Sequence, residues 1–289
     1  MPGVCKQENV ICIEEVLIKE NPDLTVVFGD TNSTLVGALG GVKRGVKTAH
    51  IEAVLRSFNC TMPEEINRVT TDHVSDLLLA PTGIAMKNLD KEGLSEKSVL
   101  SGDIMADAVK ENIERAKELS HVDEQHNLGD KFYLLTLHRP YNLDNPDKLR
   151  NIFTGLEKLS NRVIFPIHPR TKKIIEGMGV NIPDNVILIE PLGYLDFLKM
   201  QFLSEKIITD SGGIQKEAYL LGKPCITLRT EKEWIETVEN GWNILVDYHN
   251  HHFEKQIMSF DPAGTPKPIF GENVAQNIVN IILKKFPLW

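Results

Sequence analysis

The feature that most restricts the fold is an alternation. Short apolar runs, each bounded by Gly, Pro, Asn or Asp, take turns with longer amphipathic stretches along the whole chain. The runs cover 24–28, 48–51, 77–80, 98–101, 132–136, 163–167, 186–189, 207–209 and 225–228. A strand wet on one face alternates apolar with polar residues, whereas a strand covered on both faces is apolar throughout. The stretches between the runs read as helices. In 105–119, Ala106, Val109, Ile113 and Ala116 fall on one stripe; in 8–21, Ile11, Val16 and Ile18 are set among acids and lysines. Doubly covered strands that alternate with helices predict an α/β chain of parallel sheets.

With 289 residues, 42% of them hydrophobic, the chain has room for two such domains. The pattern weakens in the polar stretch "SHVDEQHNLGDK" at 120–131. That predicts a first domain over 1–120 and a second over 121–289, with the amphipathic segment 272–286 crossing back to brace the first. The chain opens on a helical pattern, so its first sheet is expected to be permuted or to lack an opening strand. Forty acidic against 32 basic residues give a net charge of −8, which argues against a nucleic-acid partner. The four cysteines, Cys5, Cys12, Cys60 and Cys225, form no C-x-x-C pair and read as free thiols of a reducing compartment. No apolar run approaches a membrane span and the first residues carry no signal pattern, so a cytoplasmic protein with no membrane partner is expected. "HNHH" at 249–252 reads as a solvated loop, and no metal site is expected.

In open parallel sheets ligands bind beyond the carboxyl ends of strands, next to helix N-termini. The strand ends here are rich in chemistry. "GDTNSTL" places Asp30 after the first run, and Glu52 follows the second. "MPEEINR" puts Glu64 and Glu65 at a helix start, with Arg68 one turn on; "LHRPYN" supplies His138 and Arg139, and "HPRTK" supplies His168 and Arg170. "TDSGGIQKEA" brings Asp210, Ser211, Gly212, Gly213 and Glu217. Ser211 can cap the helix it precedes, and the glycines let a phosphate approach the open N–H groups and positive end of that helix. The dipole supplies only ~0.3–1 kcal/mol, so Arg139 or Arg170 must share a diphosphate. The same "SGG" also fits a plain tight turn. Glu217, nearly two turns in, is placed to accept from a ribose hydroxyl. Asp30, Glu52 and Glu64 form a carboxylate group of the kind that raises one member's pKa and serves proton abstraction and return. Helix capping competes for Glu64 and is preferred for Glu65; an Asx-turn competes for Asp30.

Taken in order, "GDTNSTL", "HIEAVLRSF", "MPEEINR", "LHRPYN", "PIHPRT", "TDSGGIQKEA" and "GKPCITLRTEKEW" resemble the non-hydrolysing UDP-N-acetylglucosamine 2-epimerases, in particular their archaeal branch. The resemblance implies two Rossmann-like domains in a GT-B arrangement with the active site in the interdomain cleft. It implies interconversion of UDP-GlcNAc and UDP-ManNAc by loss of the C2 proton and of UDP, through 2-acetamidoglucal, without a cofactor. The product would feed surface-polysaccharide synthesis, and a homodimer is common in the family. By resemblance Asp30, Glu52, Glu64 and His138 are catalytic. Arg68, Arg139, His168, Phe197, Ser211, Gly212, Gly213 and Glu217 bind the substrate, with Phe197 on the uracil ring. The family's opening strand and its "GTRPE"-like loop have no counterpart here, and Val54 stands where the family has glycine. If that glycine has positive φ, Val54 carries at least ~1–2 kcal/mol of strain and acts on the placement of Glu52. The alternatives are a UDP-sugar-binding chain without turnover, a GT-B glycosyltransferase, and a hydrolysing epimerase. The carboxylate group argues against the transferase, which has no use for it.

Overall fold

The computed structural model describes residues 7–129, 131–229, 234–247 and 252–287. The chain divides into two compact units, Met1–Asp107 with Pro268–Trp289, and Ala108–Lys267. The division falls inside the helix Met105–Leu119, earlier than the polar stretch that the composition marks.

The first unit holds strands β1 (Leu24–Phe28), β2 (Lys47–Ile51), β3 (Leu77–Ala80) and β4 (Ser98–Leu100), all parallel and in sequential order. Strand β3 explains why such runs are apolar throughout. Leu77 and Leu79 pack on one face with Ala49, Ile51, Val274 and Ile278, while Leu78 and Ala80 pack on the other with Val54, Ala85 and Leu89. Neither face reaches water, so neither row can be polar. The terminal helix Val274–Lys285 supplies part of the first layer and is tied down by Asn277 Nδ2 to Ser101 O and by Ala275 N to the Asp107 carboxylate.

The second unit is a six-stranded parallel sheet of β5 (Phe132–Thr136), β6 (Arg162–Pro166), β7 (Val186–Ile189), β8 (Lys206–Thr209), β9 (Cys225–Thr227) and β10 (Asn243–Leu245). Its order is β10-β9-β8-β5-β6-β7. The chain therefore builds outward from β5 through β6 and β7, then returns to the other flank of β5 to lay down β8, β9 and β10. That reversal makes the β5–β8 boundary the topological switch point, where the loops leaving adjacent strands diverge and leave a crevice. Two Rossmann-like units in one chain form the GT-B class of fold.

Every expected strand run forms a strand, shifted at most by a residue or so at its ends. Strand β10 was not anticipated. In the helix Gln7–Glu20, Leu17 is buried, and Ile11, Val16 and Ile18 are exposed. Residues 249–251, most of "HNHH", lie outside the described residues, as do 230–233 of the "GKPCITLRTEKEW" motif. Among the described residues no group of three or more His, Cys, Asp or Glu is placed to hold a metal, and no helix is long and apolar enough to cross a membrane.

Candidate active-site residues

In the second unit the switch point is built around a carboxylate. Thr136 and Thr209 are register partners at the ends of β5 and β8, with hydroxyls 2.6 Å apart. Beyond them the two strands release His138 and Asp210. Asp210 is fully buried and accepts from the backbone N–H groups of His138 and Arg139, from Asn142 Nδ2 at 3.0 Å, and from His138 Nδ1 at 2.9 Å. Burial alone would raise the Asp210 pKa. The hydrogen bond and charge of His138, with Asn142 and the Arg139 N–H, outweigh it and hold the carboxyl below its ordinary value. Because the carboxylate accepts from Nδ1–H, the imidazole is left with Nε2 facing away from it, on a side chain 52% exposed. A histidine fixed this way can receive or deliver a proton, or donate to an anion.

Ser211 follows at once and is the N-cap residue of the helix Gly212–Leu220. Its side chain makes no capping bond, contrary to the role expected for it; its N–H instead donates to the Thr209 hydroxyl at 3.0 Å. The Ser211 hydroxyl is thus left for something other than the cap, beside a helix end whose first N–H groups lack intrahelical acceptors. Further along, Glu217 accepts from Gln201 Nε2 at 2.6 Å. Burial raises its pKa, against the opposing effects of the Gln201 bond and the Lys216 charge. Tyr194 is raised by burial and then by the negative charge of Glu217, which puts the phenol in the same neighbourhood. Phe197 is half-buried against the cluster of Phe132, Leu134, Met200 and Ile207. His168, at the end of β6, is exposed and caps the helix Pro169–Gly177 by accepting the Arg170 N–H at 3.2 Å.

In the first unit the acids sit at successive strand ends. Gly29 takes φ +63° after β1, and Asp30 follows it. The Asp30 carboxylate binds Arg68 Nε at 2.8 Å and Nη2 at 2.5 Å, and Asn67 Nδ2 holds the Asp30 carbonyl at 2.8 Å. Arg68 also lies 3.4 Å from Glu65. Glu65 is the acid the sequence undervalued. It is buried and accepts from Ser57 N and Oγ and from Phe58 N at 3.0–3.1 Å, so it anchors the loop that follows β2. Its neighbour Glu64, in the same first helical turn, is exposed. Glu52 adopts φ +66°, with a carboxylate oxygen 3.6 Å from where a Cβ on Gly29 would stand. Asp30, Glu52 and Arg68 are therefore brought together, and Glu64 heads the helix that carries Arg68. Asp210 and Glu65, which hold these groups in place, were not singled out for a site role because their function depends on partners distant in sequence.

Comparison with known proteins shows the family and the fold. The family described as UDP-N-acetylglucosamine 2-epimerase matches residues 5–283. The chain is 45% identical over 278 residues to a UDP-N-acetylglucosamine 2-epimerase homolog of Methanococcus maripaludis, covering 93% of this chain and 78% of the relative. It is 46% identical over 240 residues to a UDP-2,3-diacetamido-2,3-dideoxy-D-glucuronate 2-epimerase of Pseudomonas aeruginosa, covering 81% and 66%. The crystal structure of the Methanocaldococcus jannaschii UDP-GlcNAc 2-epimerase in complex with UDP-GlcNAc and UDP superposes with a TM-score of 0.85 at 42% identity, over 96% of this chain and 80% of that one.

Proposed function

The chain belongs to the UDP-N-acetylglucosamine 2-epimerase family, and on that footing we propose that it interconverts UDP-GlcNAc and UDP-ManNAc by epimerisation at C2. The observation that carries the reading is the switch point of the second unit. A buried Asp210 fixes His138 beside Ser211 and the open N-terminus of the helix Gly212–Leu220. That combination suits a diphosphate: helix N–H groups and a hydroxyl for its oxygens, and a hydrogen-bonding imidazole for the oxygen that leaves C1. Arg139 and His168 assist at the same edge, Glu217 takes the ribose hydroxyls and Phe197 the uracil.

The first unit supplies the proton chemistry. One carboxylate of Asp30, Glu52 and Glu64 removes the C2 proton. The electron pair of that C–H bond forms the C1–C2 double bond, and UDP departs with the electrons of the C1–O bond. Protonation of C2 from the opposite face and return of the UDP oxygen to C1 give the epimer. Every atom lost in the first half is restored in the second, so no redox partner is required.

The 46% identity to the Pseudomonas enzyme favours one variant, a UDP-2,3-diacetamido-2,3-dideoxy-glucuronate substrate for the same reaction. Proton NMR in D₂O separates the possibilities. Loss of the C2–H signal of UDP-GlcNAc with growth of UDP-ManNAc resonances is the expected result. Exchange with the diacetamido-glucuronate alone would transfer the activity to that sugar. Release of free UDP and ManNAc would make the enzyme hydrolysing. Binding of UDP with no exchange in either sugar would refute epimerisation.

A further inference from the structure

A buried imidazole in the first unit lies outside the roles assigned above. His50 and Asp72 are both fully buried, with His50 Nδ1 2.7 Å from Asp72 Oδ1 and His50 Nε2 2.8 Å from the carbonyl oxygen of Gly29. Asp72 is kept a carboxylate on its other oxygen, which receives Arg56 Nη2 at 2.7 Å; Arg56 in turn binds Glu92 through two bonds of 2.8 Å. Neither atom that faces the ring has a proton to give. A neutral imidazole has one donor and one acceptor, so it satisfies one of these contacts and sets a lone pair against the other. The ring that satisfies both carries protons on both nitrogens, and for a fully buried group an unsatisfied contact is costly.

The carbonyl it grips is placed to matter. The Gly29 N–H already donates to Ile51 O at 3.1 Å, so His50 and Ile51 together hold the two peptide groups that flank Gly29 against the end of β2. The next residue is Asp30, and the carboxylate of Glu52 lies over Gly29 itself. We propose that His50 is a positioning residue for the Asp30–Glu52 carboxylate pair, held doubly protonated between Asp72 and the Gly29 carbonyl so that the strand-end glycine between the two acids cannot rotate. The charged groups around it are Asp72, Arg56 and Glu92 along the buried chain. Lys97 holds the Asp72 carbonyl, Asp76 holds the Thr48 N–H, and the Asp30–Arg68–Glu65 group sits beyond Gly29. This inference rests on the epimerase reading, since it gives the acid pair a reaction to perform.

Two measurements test it. In ¹⁵N-labelled wild-type protein, both ring nitrogens of His50 should resonate as protonated nitrogens at neutral pH, each with a slowly exchanging proton. A ring with one unprotonated nitrogen overturns the proposal, whether or not any variant folds. In His50→Gln, the side chain can no longer donate in both directions. The C2 deuterium-exchange rate at saturating UDP-sugar should fall about 10- to 100-fold, the loss expected when reacting groups are misplaced by an ångström or less. UDP affinity, set in the second unit, should stay within twofold by calorimetry. A merely structural role would lower the melting temperature and UDP affinity together and leave turnover per folded molecule intact; that result overturns the proposal. Wild-type exchange with no loss in His50→Gln refutes the positioning role alone, whereas a wild-type protein that exchanges no sugar proton refutes the reaction on which it rests.

Discussion

Val54 offers the sharpest test of how the first unit is held. Its φ is +63°, the left-handed region that costs an L-residue roughly 1–2 kcal/mol, and it is fully buried in the cluster of Ala53, Leu78, Ala80, Ala85, Leu89 and Leu94. From sequence alone, Val54→Gly relieves strain and stabilises. The burial changes that expectation, because the valine fills space that a glycine would leave empty. Val54→Ala removes two buried methyl groups, about 1.6 kcal/mol of transfer energy, and keeps the strained conformation. Val54→Gly loses about 0.8 kcal/mol more, and glycine brings a further ~0.5–1 kcal/mol of unfolded-chain entropy. At an ordinary φ, glycine would therefore be less stable than alanine by about 1.5 kcal/mol. Here the ~1–2 kcal/mol released by reaching +63° without a Cβ cancels that difference. Both variants should melt below wild type, and within roughly 2 °C of each other in thermal scans at neutral pH. A glycine variant about 3–6 °C below the alanine variant would show that the turn is not strained. A glycine variant above wild type would show that the buried valine contributes nothing to packing.

Three further outcomes are expected. Glu217→Gln should raise the melting temperature at pH 7 while weakening UDP binding in calorimetry. Burial raises the folded pKa of Glu217, so ionisation destabilises the fold as pH rises through that value, and the advantage of glutamine should vanish towards the unperturbed value near 4.3; an unchanged UDP affinity would remove Glu217 from the nucleotide site. Asp210→Asn should cut the C2 exchange rate about 10- to 100-fold, the worth of a charge-assisted bond of ~1.5–3 kcal/mol, by releasing His138. The depressed Asp210 pKa gives stability above the ordinary Asp value near 3.9 that is lost as pH falls through the lower folded value, so melting of the variant should depend less on pH at that acid end, and equal acid sensitivity would contradict the assignment. Lys97→Met should cost about 1–3 kcal/mol in thermal unfolding, because Lys97 Nζ holds the carbonyls of Asp72, His73 and Ser75 at the end of the helix that carries Glu64, Glu65 and Arg68. Unchanged melting would mean that water replaces it freely.

The strands were legible because a residue covered on both faces must be apolar whichever way it points, and Leu77–Ala80 shows it in four letters. Strand β10, Asn243–Leu245, was not. Its three residues carry too little pattern, and they pair with β9 through Asn243, which a run of apolar residues does not include. In the second unit the strand-end histidine was visible, but its holder was not. Asp210 meets His138 only because Thr136 and Thr209 come into register across adjacent strands, and register is a tertiary fact. The same limit hid the difference between Glu64 and Glu65. Both occupy the first turn of one helix, where either suits the dipole, and only the path of the loop through Ser57 and Phe58 decides which is buried and which is open.

That loop also shows how the first unit keeps its acid in place. Glu52, Val54 and Phe58 all have positive φ, near +66°, +63° and +55°, and none is glycine. At roughly 1–2 kcal/mol each, such a path would relax unless its surroundings over-determined it. They do so from both ends. The Ala53 N–H donates to Leu79 O at 3.1 Å and Val54 is sealed in the core, so the first half cannot swing outward. Arg56 is forked onto Glu92 and bound to Asp72, and Glu65 captures the Ser57 and Phe58 N–H groups, so the second half cannot unwind. The side chain between those clamps and the sheet is Glu52, half-buried over Gly29. The strain is thus held by contacts that would be needless if the loop only joined a strand to a helix. It keeps the carboxylate over Gly29, at the end of β1 and next to Asp30 in sequence.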